Sequence, residues 1–462
     1  MKIINPATGE VLQEIAEDST KEQGTLQGSS ILSKYQKLKS GQPAWASVPL
    51  AQRVSIIRKF AESLERTAEQ LAAVLTSEVG KPVQQSKNEL NGARARIKWL
   101  TDNAVKYLSD EVMVSEPGLE ERISYEPLGV VGNISAWNYP YLVGVNVFVP
   151  ALLAGNSVLY KPSEFATLTG LEIAKALHAS GVPENAFQVA IGGKEVGEAM
   201  LDLPLDGYFF TGSFKTGKYI YERVAHKMVP CQCELGGKDP LYVADDVLDV
   251  KSVAAATADG AFYNNGQSCC AVERIYVHEK VYDRYVDEFV KEVKTYKTGK
   301  PTEAGVYIGP LTRSSQVEVL TAQVNEAVMK GASVLTGGKK GSGKGYYFEP
   351  TVLTNVTHDM SIMREESFGP VIGIMKVKND EEAVKLMSDT EYGLTASVYS
   401  ANKNRAEAIL SRVDAGTGYW NCCDRVSAAV PWSGRKHSGF GATLSHVGLR
   451  AFAKPKAYQL RG

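Results

Sequence analysis

A chain of 462 residues is too long for one ordinary core, so two or three domains with sizeable apolar interiors are expected. Lysine and arginine (51) against aspartate and glutamate (52) give a formal net charge of -1, which offers neither nucleic acid nor an anionic membrane an electrostatic foothold. No apolar run reaches the ~18 residues that suggest a membrane span, and the opening residues Met1-Lys2-Ile3-Ile4-Asn5-Pro6 lack the pattern of a signal peptide, so a soluble, cytoplasmic protein is expected. Taken in order, Ile57, Phe60, Leu64, Ala68, Leu71 and Leu75 step by three or four, predicting one scaffold helix across 51–79. A second helix is expected over 83–108. Segments 110–114 and 121–125 then read as strands joined through Pro117-Gly118, a hairpin. From Gly129 onward short apolar runs at 130–134, 157–160, 187–190, 206–210 and 229–233 alternate with helical segments, which predicts a doubly wound α/β domain with a parallel sheet. Ligands bind such sheets at the carboxyl ends of the strands, and Asn138, Lys161, Glu164, Ser213 and Glu234 each follow a strand-like run closely. A second α/β segment is expected from about 236 to 437 in the same alternation, with helices near 314–330 and 380–388 and a solvated hairpin loop at 337–345.

Reactive chemistry concentrates in Phe262-Tyr263-Asn264-Asn265-Gly266-Gln267-Ser268-Cys269-Cys270, between a small-residue helical run (253–260) and an apolar strand (274–278). A thiol at such a junction is open to substrate and to backbone N–H donors, although a cysteine is also an ordinary small core residue. Upstream, Glu234-Leu235-Gly236-Gly237-Lys238 sets a carboxylate ahead of two glycines that allow close backbone approach. The six cysteines fall in pairs (231/233, 269/270, 422/423), a poor disulfide framework that suits reduced thiols. No metal site is expected, since Cys231-Gln232-Cys233 is too tight for the usual ligand spacing and no histidine lies near it in sequence.

These stretches resemble the aldehyde dehydrogenase family, whose hallmarks are a Glu-Leu-Gly-Gly-Lys glutamate and a Gly-Gln-x-Cys nucleophile followed five positions later by arginine, here Glu234 to Lys238, Gly266 to Cys269, and Arg274. Trp137-Asn138-Tyr139-Pro140, Lys161-Pro162-Ser163-Glu164, Phe210-Thr211-Gly212-Ser213, Glu366-Ser367-Phe368-Gly369-Pro370 and Pro431-Trp432-Ser433-Gly434 extend the resemblance over almost the whole chain. It implies two doubly wound α/β domains plus a small β oligomerisation element. Residues 1–108 with 128–235 would bind NAD(P), 236–437 would be catalytic, and 109–127 with 438–462 would form an arm pairing subunits in a homodimer or homotetramer.

The resemblance further implies oxidation of an aldehyde to its acid: Cys269 attacks, Asn138 and the Cys269 backbone N–H hold the oxyanion, and Glu234 activates the water that hydrolyses the thioester. Cys269 must be activated by local donors or a base, with the backbone amides around the turn as candidates, and Cys270 raises the question of a disulfide with Cys269. Cofactor contacts fall on Trp137, Lys161, Ser163, Glu164, Gly212, Ser213, Gly217, Leu235, Glu366 and Phe368. A Gly212-x4-Gly217 turn at a helix N-terminus replaces the usual glycine fingerprint, and Glu164 favours NAD while Lys161 leaves NADP open. That turn also imitates a phosphate-binding loop, but Tyr219 stands where a Mg²⁺-binding hydroxyl belongs, which ranks a triphosphatase far lower. The two arginines that anchor succinate semialdehyde in better-known members are replaced by Asn146 and Tyr263, so Arg425 is the candidate substitute cation, unless it merely pairs with Asp424. Small aldehyde acids are the first substrate expectation and uncharged aliphatic or aromatic aldehydes the second. A cofactor-independent thioesterase and an inactive binding relative are the competing classes.

Overall fold

Two helix-covered sheets and one β-ribbon organise the chain in the computed structural model, which describes residues 1–21 and 25–462. The first sheet has six strands, in the spatial order Gly439–Phe440, Cys231–Leu235, Gly207–Gly212, Val130–Ile134, Ser157–Lys161, Phe187–Val189. All neighbours run parallel except the first pair. Both faces are covered, so the three central strands, Gly207–Gly212, Val130–Ile134 and Ser157–Lys161, are buried nearly throughout. The second sheet has seven strands, ordered Ser333–Thr336, Thr351–Thr354, Val371–Val377, Arg274–His278, Pro240–Val243, Thr395–Tyr399, Thr417–Trp420, parallel apart from the antiparallel first pair. That pair carries the glycine-rich loop 337–345 anticipated as a hairpin connection.

The expected helix across 51–79 is two helices, Leu50–Arg66 and Ala68–Val79, which part at Thr67 (φ -110°, ψ 15°). Thr67 Oγ1 donates back to the Ser63 carbonyl at 2.8 Å, a local bond that competes with helix propagation. Ile57, Phe60, Leu64, Leu71 and Leu75 still share one core, because the break leaves their inward faces aligned. Glu234 also departs from expectation: it lies within strand Cys231–Leu235 rather than after it, opposite Thr211 on one side and Gly439 on the other.

The hairpin forms from Glu111–Glu116 and Leu119–Pro127. Its second strand pairs antiparallel along its length with Ala453–Arg461 of the same chain, from Ala453↔Pro127 to Arg461↔Leu119. Before reaching that ribbon the chain returns to the first sheet at Gly439–Phe440 and lays helix Ser445–Arg450 against helix Val83–Leu108.

Arg274, which follows the proposed nucleophile by five positions, is fully buried. Its Nε donates to the Lys238 carbonyl (2.8 Å), Nη2 to the Met387 carbonyl (3.1 Å), and Nη1 to the Leu386 and Asp389 carbonyls (3.2 and 3.4 Å). It therefore satisfies the open C-terminal end of helix Asp380–Ser388 and ties it to the second sheet. Arg274→Met removes every one of these donors and is expected to cost about 3 kcal/mol or more. Thermal unfolding of the purified variant checks this, and an unchanged midpoint would contradict the clamp.

Candidate active site

Helix Val250–Phe262 opens on Asp249, whose side chain accepts from the Lys251 and Ser252 amides, and its far end leads into a turn. Asn264 (φ 53°), Asn265 (φ 59°) and Gly266 (φ 68°) then adopt left-handed backbone in succession. Asparagine and glycine tolerate this region best. The conformation is pinned from outside. Asn265 Oδ1 accepts from the Gly309 amide (2.8 Å) while its Nδ2 donates to the Pro310 carbonyl (2.8 Å), and Gln267 Oε1 accepts from the Thr312 amide (3.0 Å). The Asn264 amide donates to Gln85 Oε1 (3.0 Å). A side chain at Gly266 would meet the Gly369 carbonyl oxygen at 2.3 Å, so both its φ and its surroundings require glycine. Cys269 emerges two residues beyond Gln267.

Asn138 is fixed against this turn. Its Nδ2 donates to the Gln267 carbonyl (3.1 Å), and its own carbonyl accepts from Lys81 Nζ (2.8 Å) and Asn264 Nδ2 (3.1 Å). Lys81 forms a fully buried ion pair with Glu89, and Glu89 Oε1 accepts from the Tyr141 amide (2.8 Å) at the start of helix Pro140–Leu153. The carboxylate thus caps the helix that begins just past Asn138. Sequence reading missed both charged residues. Their one visible sign is a lysine held between Gly80 and Pro82 at a helix boundary.

Cys269 and Glu234 line a single cleft of about 620 Å³, with Tyr139, Trp99, Trp432, Arg96, Asn146 and Tyr263 among its walls. Trp432 Nε1 donates to Glu234 Oε1 (3.1 Å), a contact unseen in the sequence although Trp432 belongs to a recognised motif. Burial pushes the Glu234 carboxyl up to about 7, against the opposing effects of its hydrogen bonds from Trp432 and from the Cys269 thiol. The Cys269 thiol is itself held well above its ordinary range, first by its contact with the Cys270 thiol and then by burial and the nearby Glu234 charge. Beside a second sulfur and a carboxyl, the thiol rests protonated. Cys270 is a free thiol like the other five cysteines, and its Sγ donates to Asp424 Oδ1 (3.1 Å), which also accepts from Ser268 Oγ (2.9 Å).

Asn146 and Tyr263 reach this cleft, but as partners of other residues: Asn146 Oδ1 accepts from Arg96 (3.0 Å), and the Tyr263 hydroxyl accepts from Asn88 Nδ2 (3.0 Å). Arg425 stands exposed at the rim of the cleft. Asp424 is occupied by Ser268 and Cys270, so the alternative of an Arg425–Asp424 pair is not realised.

A second cleft, of about 690 Å³, lies at the carboxyl ends of strands Val130–Ile134, Ser157–Lys161 and Gly207–Gly212 and meets the first at Thr211. Trp137, Lys161, Ser163, Glu164 and Gly212 line it. Helix Phe214–Val224 points its N-terminus here, with Ser213 as its cap. Gly217 and Leu235 do not reach the cleft surface. A Cβ on Gly217 would lie 2.4 Å from the Leu235 side chain, so this glycine lets the helix settle on strand Cys231–Leu235 instead of opening space for phosphate. Glu366 accepts from the Gly237 amide (3.1 Å), and a side chain at Gly236 would strike its carboxylate, which explains one glycine of the Gly-Gly pair. Phe368 (φ 47°) packs edge-on against Trp137 at 5.5 Å. The Ser367 and Phe368 amides donate to Glu273 (3.1 and 3.0 Å), whose buried partner is Lys238 Nζ (2.6 Å). A nicotinamide dinucleotide fits this donor set: free N–H groups at a helix start, the Lys161 and Arg313 cations, and the Glu164 carboxylate for a ribose. Arg313 lies 5.4 Å from the Trp137 ring, and its buried Nε has no protein partner.

Residues 1–458 match the model of the aldehyde dehydrogenase family. Among similar proteins, an Arabidopsis thaliana chloroplastic aminoaldehyde dehydrogenase is 34% identical over 466 residues, covering 99% of this chain and 92% of its own. The NADP(+) succinate-semialdehyde dehydrogenase of Deinococcus radiodurans is 31% identical over 454 residues, covering 98% and 93%. A solved succinate-semialdehyde dehydrogenase from Burkholderia pseudomallei superposes with a TM-score of 0.94 at 29% identity, covering 100% of this chain and 94% of that one. The chain belongs to the aldehyde dehydrogenase family, whose members use NAD or NADP.

Proposed function

We propose that Cys269 is the nucleophile, Asn138 the oxyanion donor and Glu234 the base of an NAD(P)-dependent aldehyde oxidation ending in hydrolysis to the free acid. The observation that carries this reading is the sharing of one cleft by Cys269 and Glu234, which meets the proposed cofactor groove at Thr211. The Cys269 thiol rests protonated and gives its proton to solvent water in the cleft as sulfur adds to the carbonyl carbon, which leaves the near-neutral Glu234 carboxylate free for the later step. The oxyanion so formed meets the Asn138 amide, which exchanges its bond to the Gln267 carbonyl for one to the substrate. NAD(P)+, which Trp137, Lys161, Glu164 and the start of helix Phe214–Val224 would hold, would supply the hydride acceptor for oxidation of the thiohemiacetal to a thioester. Glu234 then deprotonates the water that attacks the thioester, and Trp432 keeps its carboxyl aimed.

In this reading the six-stranded sheet with its helices serves the cofactor and the seven-stranded sheet the thiol. The ribbon, with exposed Val112, Met113 and Leu460, offers open edges for a homo-oligomer. Glu164 supports NAD first, with NADP accommodated by Lys161 and Arg313. A small aldehyde acid is the leading substrate, drawn in by Arg425 at the rim. An uncharged aldehyde is the second reading, favoured by the aromatic walls Trp99, Tyr139, Tyr263 and Trp432.

A base must be ionised to act, so turnover limited by hydrolysis is expected to rise as pH increases through about 7. Glu234→Gln should abolish that limb and lower kcat by a factor on the order of 10²–10⁴, read from initial rates of NAD(P)H formation across pH. A pH-independent rate in the native enzyme, or aldehyde turnover without NAD(P)+, would oppose the assignment. Glu164→Gln should raise the NADP:NAD ratio of kcat/KM, and an unmoved ratio would deny Glu164 its part in cofactor choice. Arg425→Ala should raise KM for succinate semialdehyde by about 2- to 5-fold relative to butanal, as expected for an exposed, solvent-screened charge. Parallel changes for both aldehydes would remove Arg425 from substrate capture.

A further inference from the structure

Helix Val83–Leu108 presents Asn88, Gly92, Arg96 and Trp99 to the cleft that holds Cys269. This spacing of three to four residues is one helix face, so a wall of the reaction cleft is a helix surface that carries a guanidinium. The Arg96 head is oriented by two bonds from Nη1, to Asn146 Oδ1 (3.0 Å) and to the Leu142 carbonyl (3.1 Å). Both acceptors are neutral. The cations flanking it are ion-paired: Arg94 with Glu65 at 2.6 Å and Lys98 with Asp102 at 2.5 Å. Among the described residues no carboxylate forms an ion pair with Arg96, and its remaining N–H groups are left for something in the cleft.

The acids of the same cleft are each engaged. Asp424 accepts from Ser268 and Cys270, Asp259 accepts from the Tyr307 hydroxyl (2.5 Å), and Glu234 accepts from Trp432. The cleft thus presents an oriented, unneutralised cation opposite carboxylates already supplied with donors. Burial pulls the Arg96 guanidinium below its usual range, opposed by the thiols and carboxylates of Cys270, Cys269, Glu89 and Glu234. A bound anion would relieve that cost, whereas an ammonium group would add to it.

We propose that Arg96, steadied by Asn146, is the specificity-determining residue of this cleft: it binds the distal carboxylate of an aldehyde acid and turns away aldehydes bearing a positive charge. Arg425 at the rim attracts through solvent, while Arg96 makes the directed contact. The proposal rests on the reading of Cys269 as the aldehyde-binding thiol.

The test compares kcat/KM for succinate semialdehyde, butanal and betaine aldehyde in the native enzyme, Arg96→Gln and Arg96→Lys. A second readout, independent of turnover, is protection of Cys269 from iodoacetamide by succinate, followed by peptide mass spectrometry. The native enzyme is expected to prefer the anionic aldehyde. Arg96→Gln should lose that preference through KM by about tenfold or more while butanal changes little, and Arg96→Lys should keep part of it. Succinate should protect Cys269 in the native enzyme and not in Arg96→Gln. Should Arg96→Gln fail to fold, Asn146→Ala must weaken both preference and protection. A native preference for betaine aldehyde, equal losses for all three aldehydes, or succinate protection that survives Arg96→Gln would overturn the proposal. Absence of turnover with every aldehyde would reject the oxidation reading, and the protection experiment would still decide the role of Arg96.

Discussion

Three successive left-handed residues, Asn264, Asn265 and Gly266, determine where the Cys269 sulfur stands. Each such position costs on the order of 1 kcal/mol or more for a residue other than glycine, and the run persists because its surroundings over-determine it. The side chains of Asn265 and Gln267 are bolted to the 309–312 segment, and Gly369 fills the space a larger residue than Gly266 would need. The same turn points the Gln267 carbonyl toward the Asn138 amide, so Cys269 and Asn138 share one rigid reference. Preorganisation of this kind is what lets a donor act on developing charge without reorganising during the reaction.

Buried charge completes the arrangement. Lys81–Glu89 locks the backbone of Asn138 to the start of helix Pro140–Leu153, and Lys238–Glu273 locks the turn that carries Glu366 and Phe368. Isolated buried ion pairs are poor sources of stability, but each of these has its remaining valences taken up by backbone groups, and removal of one partner would strand the other. Two segments lying far apart in sequence are held in register by these contacts. Arg96 stands outside these pairs: like Arg274 it has neutral partners, a carbonyl and an amide, but it lines the cleft of Cys269.

The alternation of strands and helices was legible, since glycine, asparagine and apolar periodicity act locally. What escaped was set by tertiary contact. The split at Thr67 follows from a hydroxyl bonding one turn back within an otherwise continuous periodic pattern. Gly217 resembles a phosphate-binding glycine in the sequence, yet its neighbour is Leu235, 18 positions on, and only packing shows that. Arg425 was reached by its position in a motif, whereas Arg96 lies in a helix with no motif, and its place beside Asn146 is visible only in the fold. The resting state of the thiol was likewise hidden, because it depends on Cys270, Glu234 and burial together.

The most direct test of the whole account is to stall the reaction after acyl transfer to sulfur. Glu234→Gln, incubated with NAD(P)+ and a turned-over aldehyde, quenched in acid and digested, should show the acyl mass on the peptide carrying Cys269, specifically on that sulfur, and the native enzyme should show far less. An adduct on Cys270 instead, or no adduct in a variant that still binds cofactor, would contradict the assignment of Cys269 as nucleophile and Glu234 as the hydrolytic base.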